Sequence, residues 1–590
     1  MFEILKKPIY PAATDLIFSF LSKIFKYLFP TFAKSQLLRG GNGVNLVYAL
    51  HLLLVFLIAL GGLDRAWAWA ILLMLCAFIL TRPLKESILL FSRSIPFYIA
   101  LPFTANFDSF NIWRIVVMLI ALKWLFIVKE DAINLLKSRV NKNTLSGLWT
   151  RNKIEILGLL IFVLAFISLG KSVFLFAGAK RLIYFINLSL IFPVIVWIFK
   201  NQIISIAEIS KNIAISIFLI IGIGFLQLFS TYFLNINEFM MFWAGQIQTG
   251  FYGTNWSNIV FSGNTWFSYN TGDFPKLRMF SSFPDSHTFP LYILFGLPAL
   301  IAVFFDKIKS LKIAANNWIA NIKEYLCLGA LFIAFLAVIL SGTRGIWISI
   351  LFPLAFIFIQ KKIPNLLNYF NLSHEKSAVN SGIIKKNSAI ILLFFLAFAS
   401  SYLILAKDQF FLKTETSAQQ GMILKRVMSI VDASETSNNL RLEIWKKSLE
   451  SSIKNPLLGV GIGNFPVVLS QNISALKAGA SAHNLYLNIL AETGIFSLFL
   501  FLAICALILK YSWKIFTSAA DEKTKACGYA FFLYSLWIFG YNLTDAALFD
   551  EREFLMFILT AGIIVGVKKQ LDSKAKNHEQ SSLGNDKFSG

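Results

Sequence analysis

The sequence predicts an all-α polytopic membrane protein, and three observations carry that prediction. Hydrophobic residues make up 57% of the chain and charged residues 14%, where soluble domains run at about 45–50% and about 25%. Apolar runs of 16 or more residues recur along the chain, and their length approaches the roughly 20 residues that a helix needs to cross a bilayer core. The runs lack period-2 alternation. The spans are therefore helices, which satisfy their backbone polar groups within one segment.

About 14 transmembrane helices are expected, near 45–61, 66–81, 87–103, 112–128, 154–170, 183–199, 214–234, 289–305, 325–341, 345–360, 388–406, 486–509, 526–544 and 554–567. Segment 1–44 is read as cytoplasmic or interfacial, with an amphipathic helix at 14–30 that carries Lys23 and Lys26. The run 87–103 contains Arg93, Pro96 and Pro102, so it is broken or re-entrant. The N-terminal spans fill 45–234 and the central spans 289–406. The C-terminal spans fill 483–567. Two long loops, 235–288 and 407–482, separate these blocks, and the polar tail 568–590 is expected to be disordered.

Charge sets the orientation. Loops 129–153, 306–324, 361–387 and 510–525 and the tail are rich in lysine and arginine. Alternation puts all of them on one side, and the positive-inside rule makes that side cytoplasmic. Both termini are then cytoplasmic, and the two long loops and the acidic connection Asp545–Glu553 lie outside. The net charge of +23 does not indicate nucleic-acid binding, because the basic residues sit between apolar runs and form no single face. Cys76, Cys327, Cys505 and Cys527 lie in or beside apolar runs without CxxC spacing, which argues against disulfides and zinc. No signal peptide with a small-residue cleavage site is expected.

Some polar residues in the spans have plain readings. His51 is expected to face the bundle with a hydrogen-bond partner, and Lys123 to snorkel. Arg114 either anchors its span or lines a site. Three stretches ask for more. In SGTRGIWISI, from Ser341 to Ile350, a tight turn with Gly342 and Gly345 joins two spans. It places Arg344 at the outer face, against the charge bias of short outer loops. Such an arginine either snorkels or uses its planar fork to take phosphate oxygens, and the bias favours the fork.

In FPKLRMFSSFPDSHTFPLYIL, from Phe274 to Leu294, Arg278 precedes a span, and Asp285, Ser286 and His287 crowd its entrance. Asp285 or Ser286 could cap the helix. Arg278 is either an interfacial residue or a functional one. In SAHNLYLNILAETGIFSLFLFLAICALILK, from Ser481 to Lys510, Asn484 is a candidate N-cap. His483 stands at the water-facing end, free to accept a proton near neutral pH. Nine residues on, Glu492 points to the opposite side of a straight helix, so Asn488 is its expected partner. Gly494 is expected to loosen the helix beside it.

Four pieces in this order resemble the bacterial O-antigen ligase and O-antigen polymerase superfamily, which includes membrane protein O-oligosaccharyltransferases. They are LRMFSSFPDSH; the Ser-x-x-Arg-Gly hairpin SGTRGIWISI; RLEIWKKSLESSIKNPLLGVGIGNFP, from Arg441 to Pro466; and SAHNLYLNILAETGIFSLFLFL. The resemblance covers 274–510, and the first 270 residues match only as a run of spans. It implies a metal-independent glycosyltransferase of the inner membrane, without a cofactor, that works at the periplasmic face. Its donor would be an undecaprenyl diphosphate-linked glycan. Its acceptor would be lipid A core, another glycan or a protein, with ligase the branch resembled most. By the same resemblance Arg278 and Arg344 would hold the diphosphate and His483 would activate the acceptor. Asn484, Arg441 and Glu492 are candidates to support them, with Glu492 read first as a structural contact inside the helix bundle. No Asp-x-Asp pair is present to hold a metal for such a donor. Gly459, Gly461 and Gly463 read first as turn residues.

A lipid-linked glycan flippase is the competing reading. It would show pseudo-symmetric halves and charged residues near the midplane. Here the notable polar residues cluster at the outer face.

Overall fold

The computed structural model describes residues 42–103, 110–137, 149–263, 265–268, 276–305, 322–362, 381–405, 436–470 and 481–585. The amphipathic helix expected at 14–30 lies outside them, as do 406–435 and 471–480 of the second long loop. The described residues are helical almost throughout. The exception is a two-residue antiparallel pairing of Phe267–Ser268 with Lys276–Leu277. Among the described residues, six helices are long and apolar enough to cross a membrane: Lys153–Lys171, Leu175–Lys200, Ile206–Ser230, Gly382–Ser401, Leu485–Ser518 and Glu551–Ala575. The protein is a multi-pass membrane protein. The other predicted runs also fall in helices, several of them shorter.

The chain forms two compact units. The first comprises Met1–Trp124 and Leu234–Asn264. In it the helix Asn42–Ala59 packs on Ala68–Thr81 and Leu84–Ser94. The run at 87–103 is broken: its helix stops at Ser94, a single 3₁₀ turn Ile95–Phe97 holds Pro96, and Ala100 bridges Asn111. Proline lacks the N–H that would continue the ladder. His51 is buried with its Nδ1 3.2 Å from Ser94 Oγ. Lys123 donates to the carbonyls of Ile79 and Arg82, at the end of the neighbouring helix. Arg114 lies over the rings of Trp113 and Phe110. The segment after Leu234, read as loop, is helical from Ile236 to Tyr252, with a π-helical stretch Met241–Gln248. A capping box starts it: Asn235 Oδ1 accepts from Glu238 N (3.0 Å) and Glu238 Oε2 from Asn235 N (2.9 Å).

The second unit comprises Leu125–Phe233 and Thr265–Gly590. At its centre runs Thr288–Phe304, whose residues from Thr288 to Ala302 are all buried. A helix apolar all round is stable only when enclosed. Here Ile206–Ser230, Ile322–Leu340, Glu522–Tyr541 and Glu551–Asn585 pack around it. Leu485–Ser518 packs on Lys153–Ser168, Glu522–Tyr541 and Glu551–Asn585. That last helix continues to Asn585, so the segment after Lys569 is helical where its polarity suggested disorder. A buried helix nucleates it. Lys568 and Lys514 both pair with Asp572 (2.5 and 2.8 Å), and Lys569 pairs with Glu155, holding its first turns beyond the apolar run.

Candidate active site

One end of the second unit gathers most of the polar residues from the three stretches singled out in the sequence. The segment from Arg278 to Thr288 is fixed from several sides. Arg278 N donates to Trp266 O (2.7 Å), and Trp266 stacks on Phe280 at 3.8 Å. Ser281 adopts a left-handed backbone (φ 55°), and Gln227 Oε1 accepts from the N–H of both Phe280 and Ser281. Asp285 Oδ1 accepts from His287 N (2.7 Å) and Thr288 N (2.9 Å), so from two residues ahead of the N-cap position it satisfies the first N–H groups of the central helix.

Arg278 is bound directly to the Ser-x-x-Arg-Gly hairpin. Its Nε donates to Ser341 O (3.1 Å) and its Nη2 to Thr343 Oγ1 (3.3 Å), while Thr343 Oγ1 donates to Ser286 O (2.8 Å). Nη1 makes no hydrogen bond to the described residues. Burial lowers the Arg278 pKa to about 10, opposed by Tyr541 and Asp285; the group remains a cation at neutral pH. Arg344 begins the helix Arg344–Ser349 and lies close enough to Arg278 for the two charges to repel. Gly342 has φ +64°, and a Cβ at Gly345 would overlap Thr544 Oγ1. Both glycines are therefore required, one by the turn and one by the close approach of 541–545.

Residues 541–545 complete the cluster. Asp545 Oδ1 accepts from Ala546 N (2.8 Å) and Ala547 N (3.1 Å), and its Oδ2 lies 3.0 Å from His287 Nδ1. Burial alone would raise the Asp545 pKa, but His287, His483 and Arg441 hold it well below the usual carboxylate range. Tyr541 Oη lies 3.5 Å from His287 Nδ1. His483 feels the charges of Asp545, Arg441 and His287; burial lowers its pKa and Asp545 opposes that. Its backbone is left-handed (φ 46°), uncommon for a residue with a side chain, and its N–H donates to Ser481 Oγ (3.3 Å).

Asn484 is an N-cap. Its Oδ1 accepts from Tyr486 N (3.0 Å) and Leu487 N (3.1 Å). Leu485 N donates to Asn542 O (2.8 Å), which ties the start of this helix to residues 541–545. Arg441 stands on the helix Thr436–Lys454, which Trp445 pins by donating to Ala482 O (2.9 Å).

Glu492 belongs elsewhere, and its expected pairing with Asn488 is not observed. Asn488 Oδ1 accepts from Ala482 N (3.1 Å), whereas Glu492 Oε1 accepts from Phe465 N (3.1 Å). The reason is Gly494, whose φ of +84° breaks the helix. The break frees the carbonyls of Ala491 and Glu492, and these accept from Val460 N (2.9 Å) and Gly461 N (3.0 Å). The glycine-rich run therefore fills the kink, with Gly459, Gly461 and Gly463 all at positive φ. Asn464 and Ile462 tie its far side to Phe174 and Ser168.

Residues 329–502 match the family model described as O-antigen ligase. Over that segment, under a third of its length, the chain is similar to the O-antigen ligase family, in line with the superfamily that its four motifs resemble. No curated protein matches it. The family is one of membrane glycosyltransferases. The matched O-antigen ligase segment holds Arg344, Arg441, His483, Asn484 and Glu492. The cluster extends beyond it on both sides, to Arg278, Asp285 and His287 before and to Tyr541 and Asp545 after.

Tyr541 and Asp545 escaped the sequence reading. The only sequence signals were a lone histidine at a span entrance and an acidic outer connection, and nothing in their spacing pairs them.

Proposed function

We propose that this protein transfers a glycan from undecaprenyl diphosphate to an acceptor hydroxyl at the periplasmic face of the inner membrane, as an O-antigen ligase. One observation carries the reading most: Arg278 and Arg344 lie within mutual repulsion, beside histidines and a carboxylate, at one end of a membrane bundle. Two arginines side by side suit a dianionic ligand, which turns their repulsion into shared attraction. Arg278 has two of its nitrogens held by the hairpin and Nη1 free to donate to a phosphate oxygen.

As the anomeric C–O bond breaks, charge grows on the departing diphosphate. Fixed cations stabilise that charge without reorganising. They fill the role that a bound metal plays in other glycosyltransferases, so the proposed mechanism is metal-independent. An imidazole takes the proton of the acceptor hydroxyl, and the motif resemblance offers His483 for this role.

The test is transfer by purified protein in nanodiscs, from a lipid diphosphate-linked glycan, with lipid A core, a second lipid-linked glycan and a protein offered separately. EDTA is present throughout. Transfer to lipid A core is expected. Arg344→Ala and Arg278→Ala should each lower kcat/KM by roughly 10²–10³-fold. Wild-type rates in both variants would refute the diphosphate site, and loss of turnover in EDTA would refute the metal-free route. Preference for another acceptor would move the protein to the polymerase or protein-glycosylating branch.

A further inference from the structure

Asp545 stands between two imidazoles, and the geometry does not treat them alike. Its Oδ1 is occupied by the N–H groups of Ala546 and Ala547, so the carboxylate is immobile and presents Oδ2 to His287 Nδ1 at 3.0 Å. An imidazole that donates Nδ1–H to a fixed carboxylate carries its free lone pair on Nε2, and that is how a general base is oriented. The backbone of His287 is equally fixed, because its N–H donates to Asp285 Oδ1 (2.7 Å) at the start of the buried central helix. The His287 side chain is 20% exposed, twice the figure for Asp545, so it is the more open member of the pair. His483 differs. Its ring makes no hydrogen bond to the described residues, and its relation to Asp545 is through-space attraction.

We propose that His287, oriented by Asp545, is a second proton-accepting residue of this site and serves the acceptor hydroxyl alongside His483. The acceptor O–H bond breaks and its single proton goes to one of the two imidazoles, at His287 onto Nε2. The oxygen's electron pair forms the new bond to the anomeric carbon as the bond from that carbon to the diphosphate breaks. The diphosphate leaves with that electron pair, and the imidazolium at His287 is balanced by Asp545. The charged and titratable groups around this pair are Asp285 on its own segment, Tyr541 beside Nδ1, and His483, Arg441, Arg278 and Arg344 from the surrounding elements. The inference takes its substrate from the glycosyl-transfer reading above, but the state of His287 does not depend on that reading.

Two measurements on the full chain in nanodiscs test it. The first is transfer by His287→Ala, His287→Gln and His483→Gln at saturating donor. Glutamine can still donate to Asp545 but accepts no proton. Both His287 variants should lower kcat by roughly 10²–10⁴-fold, the usual contribution of a general base, with the KM for donor unchanged. Wild-type kcat in His287→Gln would show that His287 only tethers Asp545 and would overturn the proposal. The second is ¹⁵N spectroscopy of histidine-labelled protein, tractable because the chain has five histidines, with His287 assigned by the signal missing in His287→Gln. In the neutral imidazole a protonated Nδ1 and an unprotonated Nε2 are expected, and the opposite tautomer would overturn the proposal. If wild-type protein transfers no glycan to any acceptor, the functional reading fails while the spectrum still decides the state of His287.

Discussion

Asp545 and His483 link the site to stability through pH. The Asp545 pKa is depressed in the folded protein, because His287, His483 and Arg441 outweigh the cost of burial. Its contribution is complete above the unfolded-state value of about 3.9 and is lost as pH falls through the lower folded value. His483 is also lowered on folding, by burial. The unfolded chain then binds its proton more readily, so stability falls as pH drops below about 6.5, the ordinary histidine value. The two groups act in the same direction but in separate windows. Thermal unfolding midpoints measured between pH 4 and 8 should fall on acidification. His483→Gln should flatten the part of the curve just below pH 6.5. An unchanged slope in that variant would mean that the buried imidazole does not titrate with folding.

At the scale of elements, the Leu485–Ser518 helix is two helices joined at Gly494, and the joint has a purpose in packing. The break exposes two carbonyls inside an apolar bundle, where unpaired polar groups are costly. The glycine-rich run supplies their donors, and Ile495 N beyond the break donates to Pro456 O (2.9 Å). Glu492 completes the same joint by accepting from Phe465 N. A side chain at Gly494 would both strain its φ of +84° and overlap the carbonyl of Leu457. Gly494→Ala should therefore destabilise the protein by about 2–4 kcal/mol, the sum of left-handed strain and a displaced backbone contact. Chemical denaturation in detergent measures this, and a loss under about 0.5 kcal/mol would contradict the joint. Asn484, in contrast, acts at the other end of the helix as a cap.

At the scale of the whole molecule, the second unit gathers Arg278, His287, Arg344, His483 and Asp545 at one end. The positive-inside rule predicts that the lysine- and arginine-rich connections and tail are cytoplasmic, and this end would then face outward. A cysteine placed at Ala546 in a background lacking Cys76, Cys327, Cys505 and Cys527 should react in intact cells with a membrane-impermeant maleimide that has access to the periplasm. A cysteine at Lys525 should react only after lysis. The reverse pattern would invert the topology and place the cluster on the wrong side for a periplasmic acceptor.

Much was legible in the sequence alone. Composition and the length of the apolar runs determined the class, because burial in lipid demands both. Local chemistry determined the cap at Asn484 and the loosening at Gly494, because each acts within a turn of its own helix. Pro96 marked the broken run for the same reason. The resemblance of four short motifs pointed to the superfamily that the family match supports. Only the tertiary structure decided the partners. Arg278 meets Ser341 and Thr343, Glu492 meets Phe465 in place of Asn488, and His287 meets Asp545. No helical period relates residues so far apart in the chain. Which buried polar groups meet is settled by how the helices pack, since each one that leaves water must find its partner there.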